Sequence, residues 1–292
     1  MENVRQKQKT IKKEVVFSGI GVHSGASVSL VVRPNYAGTG IVFHHDQFQG
    51  ETISIGSVIP ENTAHATVIK QKQWSVSTIE HLMAMFHVFG ITHANVHVFG
   101  SEVPILDGSA LPFVHGIIEV GLHDLLEDSC FLTTRENVII SDDQGRVIEL
   151  FPAGKINMQH DCGLYIDYTA DFANLLLGFS HFSAQITPDF FVREIAPART
   201  FGFLEQLPVL RRHGLARGAS LGNTVVIGRE EYLNDRRFTD ECVRHKVLDL
   251  LGDLALLGKP FAGKVRAVKT GHSFNRLVIE HYLKNRELWE II

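Results

Sequence analysis

Short runs of alternating hydrophobic and polar residues fill the first hundred positions, each bounded by turn-forming residues. Alternation sends every second side chain to one face, so these runs predict half-buried strands. Residues 14–18 and 26–32 flank the glycine-rich turn GIGVHSG, with His23 among three glycines. Read locally this is a hairpin turn; a phosphate loop fits poorly, because no helix start follows and the loop lysine is missing. Residues 41–45, 52–55 and 63–69 continue as strands, the last containing His65. The period then changes. Ile79, Leu82, Met83, Phe86 and Phe89 predict an amphipathic helix over residues 74–90, ended by Gly90. Ser77 and Glu80 stand three apart at its start, the spacing of a capping box, and His81 follows. Residues 93–99 return to strand. Ser109 then caps a helix running to about Gly121.

The charged stretch 122–136 marks a boundary, beyond which strand patterns restart at 137–140 and 147–151 and continue to about Phe182. A helical stretch follows, then a helix over 240–260, a strand over 263–269 and a last helix capped by Ser273. The second half thus repeats the first in the order of its elements. In the 240–260 helix, Thr239 or Asp240 caps the start, and Gly258 and Pro260 stop the end. Val243, Val247, Leu250, Leu251, Leu254 and Leu257 form an apolar face. His245, Asp249 and Asp253 interrupt it at four-residue spacing, so they share one side. Such groups are seldom buried without a partner. A metal ion is one such partner; a simple His–Asp pair or a solvated face is the local alternative.

Composition narrows the class. The 292 residues are 45% hydrophobic and 21% charged, which suits a compact fold of one or two domains. A net charge of −4 leaves no nucleic-acid footprint. Cys130, Cys162 and Cys242 are too few and scattered for a disulfide framework. With no apolar signal core and no run long enough to cross a bilayer, the expectation is a cytoplasmic protein. The segment HGLARGASLGNTVVIG (residues 213–228) alternates small and apolar residues; read locally it is a buried strand and turn rather than the wall of an apolar channel.

Six motifs occur in one order: GIGVHSG, TIEHLMA, LDGSA, ARTFGF, HKVLDLLGD and a late GHSFN. The set resembles the bacterial UDP-3-O-acyl-N-acetylglucosamine deacetylases of lipid A biosynthesis, over about residues 8–285. Phe274 departs from the aliphatic residue usual between the late His and Asn.

The resemblance implies an α+β fold of two similar domains, each a small sheet packed on helices, here residues 1–126 and 127–292, with the site between them. It implies Zn2+ held by His81, His245 and Asp249, with one position open to water. Cys242, three residues before His245, is a rival soft ligand matching nothing in the family. Glu80 matches the general base, Thr200 a donor to the oxyanion, and His272 a protonated partner of the developing charge or leaving amine, positioned by Asp253. Lys246 and Phe201 match substrate-binding residues. Leu215, Gly218, Ala219 and Leu221 fall in the segment that forms the acyl passage. The partner implied is an acylated UDP-sugar, with passing contact to membrane lipid. Two other readings use the same residues: deacetylation of a soluble acetylated sugar, and a non-catalytic module with a structural metal.

Overall fold

The computed structural model describes residues 6–154, 163–172, 174 and 176–292. Cys162 and the first five residues lie outside the described residues. Two five-stranded sheets share one topology. The first holds β1 (Val15–Ile20), β2 (Ser27–Pro34), β3 (Ile41–His45), β4 (Thr52–Ser54) and β5 (Ala94–Phe99), in the order β1-β2-β5-β3-β4. The second holds β6 (Val138–Ser141), β7 (Val147–Phe151), β8 (Leu164–Asp171), β9 (Phe179–Ile186) and β10 (Gly263–Val268), in the order β6-β7-β10-β8-β9. In each sheet the last strand inserts at the centre, antiparallel to the second strand and parallel to the third. Alternation sets the inner faces: Val28, Leu30 and Val32 on β2, and Leu164, Ile166 and Tyr168 on β8, are buried.

Helices keep the same order. In the first unit α1 (Glu80–Phe89) precedes the central strand and α2 (Leu111–Val120) follows it. The short α3 (Leu207–Arg212) lies in the second unit, where α4 (Glu241–Leu254) precedes the central strand and α5 (His272–Lys284) follows it. This is the α+β architecture of two similar sheet-and-helix units. Helices α1 and α4 pack on each other between the sheets, and one continuous core runs through both units. Gly252 makes their contact close: a Cβ there would stand 2.1 Å from the Glu80 carbonyl oxygen.

Several local expectations are corrected. Helix α1 starts at Glu80 rather than near residue 74, because Trp74–Val76 forms a short strand paired with Ile69–Gln71. The Ser77–Glu80 capping box does not form. Ser77 donates to the Ser101 carbonyl, and Glu80 accepts from the Thr67 amide. Most of residues 63–69 is loop, since its polar groups are engaged by neighbouring elements instead of a strand partner. Asp240 occupies the N-cap position of α4 but pairs with Arg244 instead of a backbone amide. Ser273 lies inside α5, whose N-cap is Gly271. The charged stretch after α2 is strand, Leu122–Asp128, paired with Lys7–Ile11. The stops hold: Gly90 caps α1, and Gly258 ends the 3-10 turn Ala255–Leu257 that continues α4, both with left-handed φ (67° and 77°).

Candidate active site

The polar line on α4 faces the N-terminus of α1. His245, Asp249 and Asp253 are each 3% exposed, and so are Glu80 and His81 opposite them. One nitrogen of His81, one of His245 and one carboxylate oxygen of Asp249 lie within 4.8 Å of one another. The imidazoles of His81 and His245 meet edge to face, with ring centres 5.0 Å apart. His245 Nδ1 sits 3.0 Å from the Ala198 carbonyl oxygen, which accepts its proton and leaves Nε2 with a free lone pair. Nε2 stands 3.4 Å from Asp249 Oδ1.

The donor set fits a divalent metal. Burial, reinforced by His245, holds the His81 imidazole down to about 3, so it stays neutral. Burial also lowers His245. For Asp249, burial works towards protonation, but Lys246 and the neighbouring histidines hold it well below the usual carboxylate range. Two neutral imidazoles and one carboxylate are the protonation states a metal requires. Lys246 Nζ donates to Asp249 Oδ2 at 2.6 Å, leaving Oδ1 to turn towards the histidines. Cys242, the rival ligand, packs with Val225 and Ile227, and burial pushes its thiol up to about 12. It therefore offers no thiolate and stands outside the group.

Beside these three, a second set of polar groups is linked by hydrogen bonds. His272 Nδ1 lies 2.9 Å from Asp253 Oδ2, and its Nε2 is 3.8 Å from both Glu80 Oε1 and Asp249 Oδ2. Burial alone would lower His272, but Asp253 and Asp249 carry it up to about 9. Burial pushes the Glu80 carboxyl up to about 7, with His272 offsetting part of the effect. Asn275 donates to Asp253 Oδ2 at 2.7 Å. Thr67 binds three of these groups. Its amide donates to Glu80 Oε2 at 3.0 Å, and its hydroxyl meets Asp253 Oδ1 and His272 Nδ1. The sequence reading missed Thr67, because a loop threonine carries no local signal. Its place at the end of the TAHAT run, two residues after His65, is the nearest hint.

A cavity of about 280 Å³ opens onto Glu80 and His81. Thr200 and Phe201 line it, as do His23 and His65 from the first unit. Phe201 meets the His245 ring edge to face at 6.1 Å. Away from the polar end the walls are apolar, with Leu207, Leu210, Ala219, Leu221 and Val226. Ala219 and Leu221 thus stand where the small-residue segment was expected to line a passage. Leu215 and Gly218 are outside the lining. The Leu215 amide closes α3 on the Leu210 carbonyl, and Gly218 docks on the His23 turn. Among the described residues no helix is long and apolar enough to cross a membrane.

Known proteins are similar to this chain over most of its length. The family model described as LpxC, UDP-3-O-acyl N-acetylglycosamine deacetylase, matches residues 8–284. A UDP-3-O-acyl-N-acetylglucosamine deacetylase of Syntrophotalea carbinolica is 39% identical over 288 residues, covering 98% of this chain and 90% of the relative. One of Nautilia profundicola is 39% identical over 287 residues, 98% of this chain and 94% of that protein. One of Leptospira biflexa is 39% identical over 271 residues, 92% and 87% respectively.

Proposed function

We propose, from the premise that this chain belongs to the UDP-3-O-acyl-N-acetylglucosamine deacetylase family, that it hydrolyses the N-acetyl group of an acylated UDP-glucosamine in lipid A biosynthesis. The observation that carries this is the convergence of His81, His245 and Asp249 beside Glu80, at the polar end of an otherwise apolar cavity.

On this reading the two units, residues 1–126 and 127–292, each supply part of the machinery. His81, His245 and Asp249 would hold Zn2+, which would supply Lewis acidity towards the amide carbonyl and a lowered pKa for water. Glu80 takes the proton from the attacking water. Thr67 holds one of its oxygens, and the other faces His272. Asp253 keeps His272 charged and oriented through Nδ1, so Nε2 presents a proton towards the oxyanion or the leaving amine. Thr200, at the cavity wall, donates to the same oxyanion. Lys246 holds Asp249 ionised and lies beside the sugar or diphosphate. Phe201 packs on the sugar or acyl root. The acyl chain follows the apolar wall past Ala219 and Leu221. The chemistry uses neither nucleic acid nor a membrane span.

Substituting Glu80→Gln tests this directly. Acetate release from the acylated UDP-sugar should fall about 10²–10⁴-fold with metal content retained. Undiminished turnover by E80Q would remove the proposed base. Absence of turnover by the unmutated, metal-loaded protein would remove the proposed reaction.

A further inference from the structure

The glycine-rich turn at His23 has no assigned part in the proposed chemistry, yet it is built around a single buried group. Glu102 follows the central strand of the first sheet and is 1% exposed. Its carboxylate accepts four hydrogen bonds. Oε1 takes the His23 amide at 2.9 Å and the Thr78 hydroxyl at 3.0 Å. Oε2 takes the Ser24 amide at 2.9 Å and the Ser24 hydroxyl at 2.6 Å. Four donors fill the acceptor sites of a carboxylate. Successive amides curling round an anion form a nest, here occupied by the protein's own side chain. Gly21 is required for it, because a Cβ there would lie 2.0 Å from Glu102 Oε2. The GIGVHSG turn is therefore an anion cradle after all, though for an internal carboxylate instead of a phosphate.

Three pieces of the cavity wall meet at this cradle. Val22 and His23 belong to the turn itself and line the cavity. Thr78 also lines it, holds a positive φ of 59° that a β-branched residue rarely adopts, and leads within two residues to Glu80. The small-residue segment docks on the far side of the turn. The Arg217 amide donates to the His23 carbonyl at 3.1 Å and the Gly218 amide to the Val22 carbonyl at 3.0 Å. A Cβ on Gly218 would stand 2.2 Å from the Gly21 carbonyl oxygen. Ala216 and Ala219, flanking that contact, line the cavity. Glu102 does not itself line it.

We infer that Glu102 is a positioning residue for acyl-chain selectivity: by holding the His23 turn and Thr78 together, it fixes the width of the apolar passage. The inference rests on the deacetylase reading above. A passage held at fixed width gains affinity with each methylene it buries, about fourfold per methylene at full burial. If the cradle loosens, that gain shrinks, while turnover of a substrate without an acyl chain is spared.

The test is E102Q, which keeps the shape but turns an amide NH2 towards donors, measured on UDP-sugars of increasing acyl length. KM for a long-chain substrate should rise about tenfold, the cost of unsatisfying buried hydrogen bonds. kcat should hold within about threefold, and the dependence of KM on chain length should flatten to about twofold per methylene or less. Activity on the unacylated UDP-sugar should change less than about twofold on the same physical ground. S24A removes one of the four donors to Glu102, together with the acceptor of the Ala26 amide, and should shift KM in the same direction by less, which keeps the test available if E102Q does not fold. An unchanged chain-length dependence in a folded, metal-loaded variant overturns the inference, and so does an equal loss on acylated and unacylated substrate. An inactive wild-type protein instead overturns the deacetylase reading, so the two failures are distinct.

Discussion

Gly252→Ala adds one carbon at a close backbone contact between α1 and α4. The built Cβ would lie 2.1 Å from the Glu80 carbonyl oxygen, 2.7 Å from its carbonyl carbon and 2.8 Å from its Cα. A carbon–oxygen contact needs roughly 3.3 Å, so helices α1 and α4 must part by roughly 1 Å at this level. All three obstructing atoms are backbone, so no side chain can swing aside. Glu80 and His81 ride on α1, and His245, Asp249 and Asp253 on α4. The separation therefore falls directly between the two sets of reacting groups. A displacement of about 1 Å at a reacting centre costs about a hundredfold in rate, and kcat/KM for acetate release should fall by that order. Stability should change less. Overpacking costs about 1–3 kcal/mol, and replacing a helical glycine by alanine returns about 1 kcal/mol. Thermal melting, metal retention after dialysis and steady-state kinetics on one preparation separate these effects. G252A with kcat/KM within about twofold of wild type, an effect far below the value expected here, and with undiminished metal retention would refute the claim that this contact sets the site.

Two further outcomes follow from the same geometry. Glu80 acts ionised and burial pushes it up to about 7. A cation on the neighbouring ligands can only lower that value, so kcat/KM should fall as pH drops through a point no higher than about 7. His272 acts protonated; burial opposes the charge, but Asp253 and Asp249 carry it to about 9. kcat/KM should therefore fall again as pH rises through a point no higher than about 9, and the absence of any fall by about pH 10 would exclude the His272 role. Ala219→Phe fills the apolar cavity. Lost burial of even two methylenes costs about 1.6 kcal/mol, roughly fifteenfold in kcat/KM on the acylated substrate. Equal kinetics of A219F on acylated and unacylated substrates would count against a passage at this position.

The legible parts of this chain were those carried by period and by helix stops. Alternation located the strands of the first sheet, and β6, β7 and β10 of the second, within a residue or two; β8 and β9 had no separate bounds, and β9 runs to Ile186, past the expected end near Phe182. Helical spacing located α4, and four-residue spacing alone puts His245, Asp249 and Asp253 on one side of it. Left-handed glycines ended the helices where expected. What was not legible depended on partners distant in sequence. The Ser77–Glu80 pair has capping-box spacing, yet Glu80 is taken by Thr67, and Ser77 bonds to Ser101 at the end of the neighbouring strand. Residues 63–69 look strand-forming because Ala66, Val68 and Ile69 are apolar. Thr67 between them binds across to α4 and α5, 186 and 205 residues away. Glu102 gave no signal at all, since its four donors come from turns that only the fold brings together.

The repeated topology explains why a site of this polarity can be buried. Each unit ends its sheet by inserting a central strand after a helix, so α1 and α4 occupy equivalent places and meet at the junction. An apolar junction would have held the units together more simply. Here the charges and imidazoles of the site instead find partners across the seam, on an adjoining helix or in the loop that carries Thr67. Glu80 on α1 accepts from Thr67 and faces His272 on α5; His81 on α1 faces His245 on α4; Asp253 on α4 is held by Thr67 and by His272 and Asn275 from α5. Leaving any one of these unpaired would cost the full desolvation of that group. Docking of the units and assembly of the reacting groups are consequently one event. Gly252, which lets α1 and α4 approach closely, lies between Asp249 and Asp253 and touches the residue proposed as base, so the same carbon-free position serves packing and chemistry together.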